Sequence, residues 1–366
     1  MSDALQKTLT LLLLIGLGLL LRAKFKSKAQ TDGIKEMVLS VALPATIFIA
    51  LMKIQVDITL LLVPLVTLVF NFFMYLTLPF VLPVFGVEKN STTGRTLMML
   101  LPSLAPGLSC FPFIAEFLGE KSLAMAAMAD VGNKFFVLIF LYVVAMNMFL
   151  KNSSGAKVKM GQKIKSLLGN LIKEPINMII VAAILLLSLG FNYKSLPPVV
   201  ADVFDKTSAM MTPLVLIFIG LAVQLKEGNK RLVISILLFR AGLTMLFSTM
   251  VIALTGISEP TLVLLAVVLP LSSASFWPFA HISAFNLREE NKEVAKEKRT
   301  FDLELSVLVL AFSLPFSTLL ILGMLSVGTF FTHLPTLVVT GLLLIGSGIG
   351  VSLLGKLNLK LSKARV

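Results

Sequence analysis

The sequence predicts an all-α integral membrane protein. Its expected form is an inverted 5+5 repeat of helical spans with broken, crossing spans 4 and 9, plus an eleventh C-terminal span. Three observations carry that prediction. Of 366 residues, 57% are hydrophobic and only 14% are charged, against about a quarter charged in a soluble domain. The apolar residues fall into eleven runs, each long enough to cross a bilayer core that takes about 20 residues of helix. Short motifs of the first five runs return in the same order in the next five. A water-soluble globule is excluded, and the mean hydropathy of +0.96 agrees.

Run 1 (5–21) resembles a signal-peptide core, yet no small-residue cleavage site follows it. Arg22, Lys24, Lys26 and Lys28 follow instead, so it reads as a retained span with the N-terminus outside. Run 2 (34–52) carries Leu43-Pro44. Run 3 (58–85) carries Asn71 as an isolated mid-span polar group, read as helix–helix glue. Runs 4 (96–118) and 5 (122–150) hold a proline-rich interruption and a buried acid–base pair. The longest polar gap then follows, with Lys151, Lys157, Lys159, Lys163, Lys165 and Lys173. Runs 6 to 10 cover 171–189, 207–225, 232–255, 261–285 and 301–327, and run 11 covers 334–354. The expected organisation is a first repeat over 1–150, a basic cytoplasmic linker over 151–170, an inverted second repeat over 171–327, and an additional span with a basic tail over 328–366.

Charge placement sets the orientation. With the N-terminus outside, the inner segments hold 25 lysines and arginines. The outer segments hold only Lys7, Lys53, Lys121, Lys194 and Lys206, while Lys134 and Arg240 lie inside spans. That asymmetry obeys the positive-inside rule and leaves the basic C-terminal tail cytoplasmic only if the number of spans is odd. A cell-membrane, multi-pass protein is expected. The net charge of +13 would suggest nucleic acid in a soluble chain. Here most of it sits in gaps between apolar runs, so the expected partner is the lipid bilayer and not nucleic acid. The single Cys110 excludes an intramolecular disulfide and a multi-cysteine metal site. With only His281 and His333, a His-built metal centre is not expected either. Neither metal nor cofactor is called for.

The repeat is visible in three motif pairs. Leu43-Pro44 leads into Ile47-Phe48-Ile49-Ala50-Leu51, and Thr212-Pro213 leads into Ile217-Phe218-Ile219-Gly220-Leu221. Ser109-Cys110-Phe111-Pro112-Phe113 is echoed by Ser275-Phe276-Trp277-Pro278-Phe279, and Asp130 by Asp302. Equivalents five spans apart, an odd number, must be upside down relative to one another, the arrangement of many secondary transporters.

The residues that can carry chemistry cluster at these motifs. Pro102, Pro106 and Pro112 in span 4, and Pro270 and Pro278 in span 9, remove backbone donors and interrupt the helices. Freed carbonyls and amides at membrane depth are tolerated only in protein or beside a wet cavity. Ser103, Ser109, Ser272, Ser273 and Ser275 are then the hydroxyls expected to face a substrate. Asp130 and Lys134 share one face of span 5 with Asn133 between them; a lone charge there costs about 3 kcal/mol or more. They read either as a proton-coupling site or as an ion pair that cancels itself. Arg240 in span 8 presents a planar fork suited to a carboxylate, either a substrate's or that of Asp130. Asp302 and Glu304 read as coupling acids or as acids at a helix start, and His281 as a packed polar residue. The alternating charges from Glu289 to Arg299 predict a solvated helix or loop. Gly346, Gly348 and Gly350 suit close helix packing, with a homodimer interface as one candidate.

The stretch Phe111-Pro112-Phe113, Phe117-Leu118-Gly119-Glu120, Ala124, Ala127 and Asp130-Val131-Gly132-Asn133 resembles the auxin efflux carrier family of membrane permeases. Leu43-Pro44, Glu174-Pro175-Ile176 and Thr212-Pro213…Gly220-Leu221 are similar to its other landmarks, and the resemblance covers roughly 5–327. It implies a ten-helix inverted repeat with helices 4 and 9 crossing at their prolines, an elevator-type movement, and a small organic anion as cargo, indole-acetic acid or a dicarboxylate such as malate. Ala105, Pro106 and Cys110 stand where the family usually has an asparagine and several glycines, so the cargo's identity does not carry over. The expectation is a non-enzymatic secondary transporter with Ser103, Pro106, Ser109, Pro112, Ser272, Ser275, Pro278 and Arg240 at the substrate. Asp130, Asn133, Lys134 and Asp302 are the coupling groups, with proton coupling left open. The alternatives are a cation/proton antiporter, a non-transporting sensor on a permease fold, and a membrane acyltransferase using His281.

Overall fold

The computed structural model describes residues 3–25, 27–54, 58–152, 169, 173, 175–222 and 229–363. Among them the chain is helical throughout, without strands. The linker expected over 151–170 falls almost wholly outside the described residues, as does Arg365 of the tail.

Helix α1 spans Asp3–Leu21. Helix α2, Lys28–Met37, starts at a capping box in which Ser27 and Gln30 each satisfy the other's backbone amide. It runs through a π-turn, Val38–Ala42, into α3, Leu43–Met52, every residue of which is buried. The long α4, Ile58–Val81, contains Pro64 and Pro79. Next come α5 (Thr92–Leu100), α6 (Pro106–Ser109) and α7 (Phe111–Phe117), three pieces of one interrupted span. Then α8 (Gly119–Phe135) passes through a second π-turn, Phe136–Phe140, into α9 (Leu141–Asn152). In the second half, α10 is Pro175–Ser188, α11 Pro198–Ala209, α12 Met211–Ala222 and α13 Lys230–Thr255. A second interrupted span follows as α14 (Pro260–Val268) and α15 (Phe276–Glu290). The last two helices are α16, Leu303–Ser326, and α17, Leu334–Lys363.

Among the described residues, seven continuous stretches are long and apolar enough to cross a membrane: Ala29–Met52, Leu62–Phe85, Gly119–Asn152, Pro198–Ala222, Lys230–Thr255, Leu303–Ser326 and Leu334–Leu354. Gln6–Leu21 and Pro175–Ser188 are shorter apolar helices. Large apolar side chains point outward, Leu13 73%, Leu20 77%, Phe80 82% and Leu254 79% exposed. Such a surface is costly in water and natural against lipid tails. The fold fits a multi-pass membrane protein.

Helix α1 packs on α12, α10 and α11 pack on α3, and α4 packs on α8. Gly18 and Gly220 make the first contact close, since a Cβ on either would strike the other helix's backbone. The most extensive contact joins α13 to α17. It too is built on glycines: a Cβ on Gly242 would strike the Gly341 carbonyl, and one on Gly348 would sit 2.6 Å from the Ser235 carbonyl oxygen. Gly348 therefore serves the close helix packing expected of it, within the chain; a Cβ on Gly346 or Gly350 would meet nothing within 4 Å. On the side predicted to be outer, Lys53 at the end of α3 pairs with Glu120 of α8 at 2.6 Å, and Lys7 of α1 donates to the Glu116 carbonyl of α7 at 3.1 Å.

Two further expectations change. Span 7 was expected from 207, but its helix starts at Pro198, so Lys206 lies within it and pairs with Asp202 at 3.0 Å. Glu289 was expected in a solvated stretch, yet it is 1% exposed. Its carboxylate accepts the Thr300 amide at 2.9 Å and the Thr300 hydroxyl at 2.5 Å, closing the loop between α15 and α16 over the core.

Candidate functional site

The centre of the molecule is where the two interruptions meet. Proline dictates where they fall: Pro102 and Pro106 cannot donate to a preceding turn, and Pro106 pushes Ala105 out of helical geometry, to φ −133° and ψ 66°. In the other span α14 stops at Val268 before Pro270, and the chain stays non-helical until Ser275 restarts it as the N-cap of α15, accepting the Trp277 amide at 3.3 Å.

An interruption this deep leaves backbone groups that must find partners. Five consecutive carbonyls of the first break each accept a side-chain donor. Arg240 Nε donates to Leu101 at 2.8 Å and Asn71 Nδ2 to Pro102 at 2.7 Å. Arg240 Nη2 donates to Ser103 at 3.0 Å, Asn133 Nδ2 to Leu104 at 2.8 Å, and Ser109 Oγ to Ala105 at 2.8 Å. In the second break the amides are held by serine hydroxyls: Ser273 donates to Ser109 Oγ at 2.9 Å, Ala274 to Ser313 Oγ at 3.3 Å and Ser275 to Ser103 Oγ at 2.9 Å. The Ala105 amide donates to the Ser273 carbonyl at 2.8 Å, and Arg240 Nη1 to the Ser272 carbonyl at 3.0 Å. The two breaks are thus bonded to each other directly and through Arg240.

Of the residues predicted for a site, Ser103, Ser109, Ser272, Ser275, Arg240 and Asn133 come together here, all buried. Pro106 opens α6, while Pro112 and Pro278 lie in the first turns of α7 and α15. The hydroxyls of Ser103, Ser109 and Ser275, expected to face a substrate, bind backbone, while Ser272 Oγ is buried without a hydrogen-bond partner. Arg240 turns three of its donors to carbonyls rather than to Asp130. Asp130 Oδ2 lies 3.4 Å from Lys134 Nζ, with both side chains buried, and Asp130 Oδ1 accepts Asn133 Nδ2 at 2.9 Å. Asp302 stands apart from the breaks: it caps α16 by accepting the Leu305 amide at 2.9 Å, and its own amide donates to Thr96 Oγ1 at 2.8 Å. His281 Nε2 hydrogen-bonds with the Val137 carbonyl oxygen at 3.0 Å, at the second π-turn, where its ring also packs edge-on to Tyr142. Asn71 joins α4 to the first break and to Asn133, as glue should.

Sequence reasoning missed Ser313, which holds the Ala274 amide; its one signal is a hydroxyl two residues before Pro315, and the same span carries Ser306, Ser317 and Thr318 besides. It also missed a cavity of about 280 Å³ beside the second break. Phe276 and Phe279 of α15, Phe218 of α12, Ala311 of α16, and Thr31 and Asp32 of α2 line it. Lys35 holds its ammonium 4.3 Å from the centre of the Phe276 ring. No group of three or more metal-ligating side chains occurs among the described residues. In comparison with known proteins, no family model matches the chain and no curated protein matches it.

Proposed function

We propose that this protein is a secondary transporter that moves a small organic anion across the cell membrane, of the type its span 4–5 residues resemble, the auxin efflux carriers. The observation that carries the reading is the pair of interrupted helices bonded break to break next to a cavity of about 280 Å³. An uninterrupted bundle would need none of these buried polar bonds. In the proposed arrangement eleven spans cross the membrane, with N-terminus outside and C-terminus cytoplasmic, and spans 6–10 repeat spans 1–5 upside down. Two contacts support the repeat: α1 packs on α12 as α10 packs on α3, which pairs span 1 with span 7 and span 6 with span 2.

The lining of the cavity narrows the cargo. Three phenylalanine rings suit an apolar body, and the Lys35 ammonium, 4.3 Å from the centre of the Phe276 ring, brings positive charge near the cavity for one carboxylate. A dicarboxylate would set its second charge among those rings, so an acid with an apolar body fits better than malate. Asp32, exposed in the cavity lining, opposes an anion, and Lys35 three residues on offsets it. The cation/proton antiporter is disfavoured by the first break itself. Carbonyls 101 to 105 each already accept one protein donor, leaving a single lone pair apiece toward a metal ion.

Flux into liposomes containing the purified protein tests the reading, with a labelled arylacetate and labelled malate compared. Saturable arylacetate flux is expected, abolished by Ala311→Trp, which fills the cavity. Absence of flux of either acid above protein-free vesicles, from protein that is folded and monodisperse, would overturn it and leave the sensor reading.

A further inference from the structure

Among the groups that hold the breaks, Asn133 is the one bonded to an ionisable side chain. Its Nδ2 donates to the Leu104 carbonyl at 2.8 Å and to Asp130 Oδ1 at 2.9 Å. Its Oδ1 accepts the Leu104 amide at 3.0 Å and Asn71 Nδ2 at 3.3 Å. Both hydrogens and both lone pairs are engaged, so the side-chain amide pairs with the whole Leu104 peptide. Leu104 directly precedes Ala105, whose amide donates across to Ser273. The chain of contacts therefore runs from Lys134 through Asp130 and Asn133 to the joint between the two spans.

We propose that Asn133 is a positioning residue that ties the charge on Asp130 to the geometry of the first break, so that neutralising this carboxylate loosens the Leu104 peptide. A hydrogen bond to an ionised acceptor is about twice as strong as one to a neutral acceptor. With Asp130 ionised, Asn133 is pinned at one end and holds Leu104 with the other. With Asp130 neutral, the pin weakens and the side chain gains freedom. The Leu104 amide then has nothing to fall back on, because the peptide lies outside the helical ladder of α5 and α6. Lys134 is the charged group that faces Asp130. The ionisable groups on the elements packed against α8 are engaged elsewhere or lie toward its ends: Lys53 pairs with Glu120 in the first turn, Glu116 belongs to α7 and Glu259 precedes α14. Tyr75 packs edge-on to Phe140, beyond the C-terminal end of α8.

In terms of transport, the inference deepens the reading above, naming how a coupling charge would reach the substrate region. Its test does not depend on flux. Amide hydrogen exchange of peptides covering 101–109 is measured on the full-length protein in lipid nanodiscs, with peptides of α17 as the folding control. Asp130→Asn is nearly isosteric and uncharged. It is expected to speed exchange at Leu104 and Ala105 by about fivefold to tenfold, the difference between a charge-assisted and a neutral hydrogen bond. Asn133→Ala should do at least as much, and the double variant no more than Asn133→Ala. Unchanged exchange in Asp130→Asn overturns the proposal and leaves Asn133 a plain filler of the break. Effects that multiply in the double variant overturn it as well. If Asn133→Ala does not fold, Asp130→Asn alone decides. Loss of flux with this exchange pattern intact would fault the transporter reading and spare the proposal.

Discussion

Arg240 shows what a buried cation does when surrounded by carbonyls instead of carboxylates. Its guanidinium reaches Leu101, Ser103 and Ser272 with a fixed fork that no other side chain offers. Hydrogen bonds between membrane helices average about 0.6 kcal/mol each, because the alternative state also finds partners. These three carbonyls have no such alternative, since the two breaks deny them a helical amide, so the upper part of the range applies. Arg240→Met should lower stability by about 2 to 3 kcal/mol, read as a fall in thermal midpoint in detergent. Arg240→Lys should recover only a minor part, a point donor restoring one bond. A lysine variant as stable as the wild type would refute the fork. The sequence showed that a cation lay at this depth but not what it faced: an arginine's partners sit 32 to 139 residues away along the chain, and only the fold brings them near. The serines teach the same lesson in reverse. Ser103 and Ser109 were legible as polar groups beside prolines, yet a hydroxyl that binds substrate and one that binds backbone are the same letter.

At the scale of helices, most of the apolar runs were legible to within a few residues of their ends, span 7 excepted, because bilayer thickness and the need to satisfy every backbone group leave one solution. Both interruptions were legible from proline. Two features were not. The π-turns at Val38–Ala42 and Phe136–Phe140 have no residue signature. The glycines of α17 announced close packing without naming the partner, which is α13. That partnership makes its own prediction. Gly348→Leu places a side chain against the Ser235 carbonyl and the Phe239 amide, both backbone and unable to yield. Helix α17 should come away from α13, seen as faster amide exchange across 334–354 and 235–242, while peptides of α3 and α8 stay as before. Unaltered exchange in α13 would show that the contact tolerates repacking.

At the scale of the whole molecule, orientation is the next quantity to measure. The charge asymmetry of 25 against 5 predicts that a cysteine replacing Lys194 reacts with an impermeant maleimide on intact cells, and that one replacing Lys292 reacts only after lysis. The chain is well suited to the experiment, since its own Cys110 is fully buried. Labelling in the opposite sense would invert the topology.

The joined breaks also limit how such a molecule can work. Buried backbone amides, carbonyls and hydroxyls lock the two interruptions together, so parting them would leave every one of those groups to find a new partner. In the transporter proposed above, the knot would travel whole, as a fixed hub, and sliding would fall to the seams around it, such as the one that the Lys53–Glu120 pair clasps.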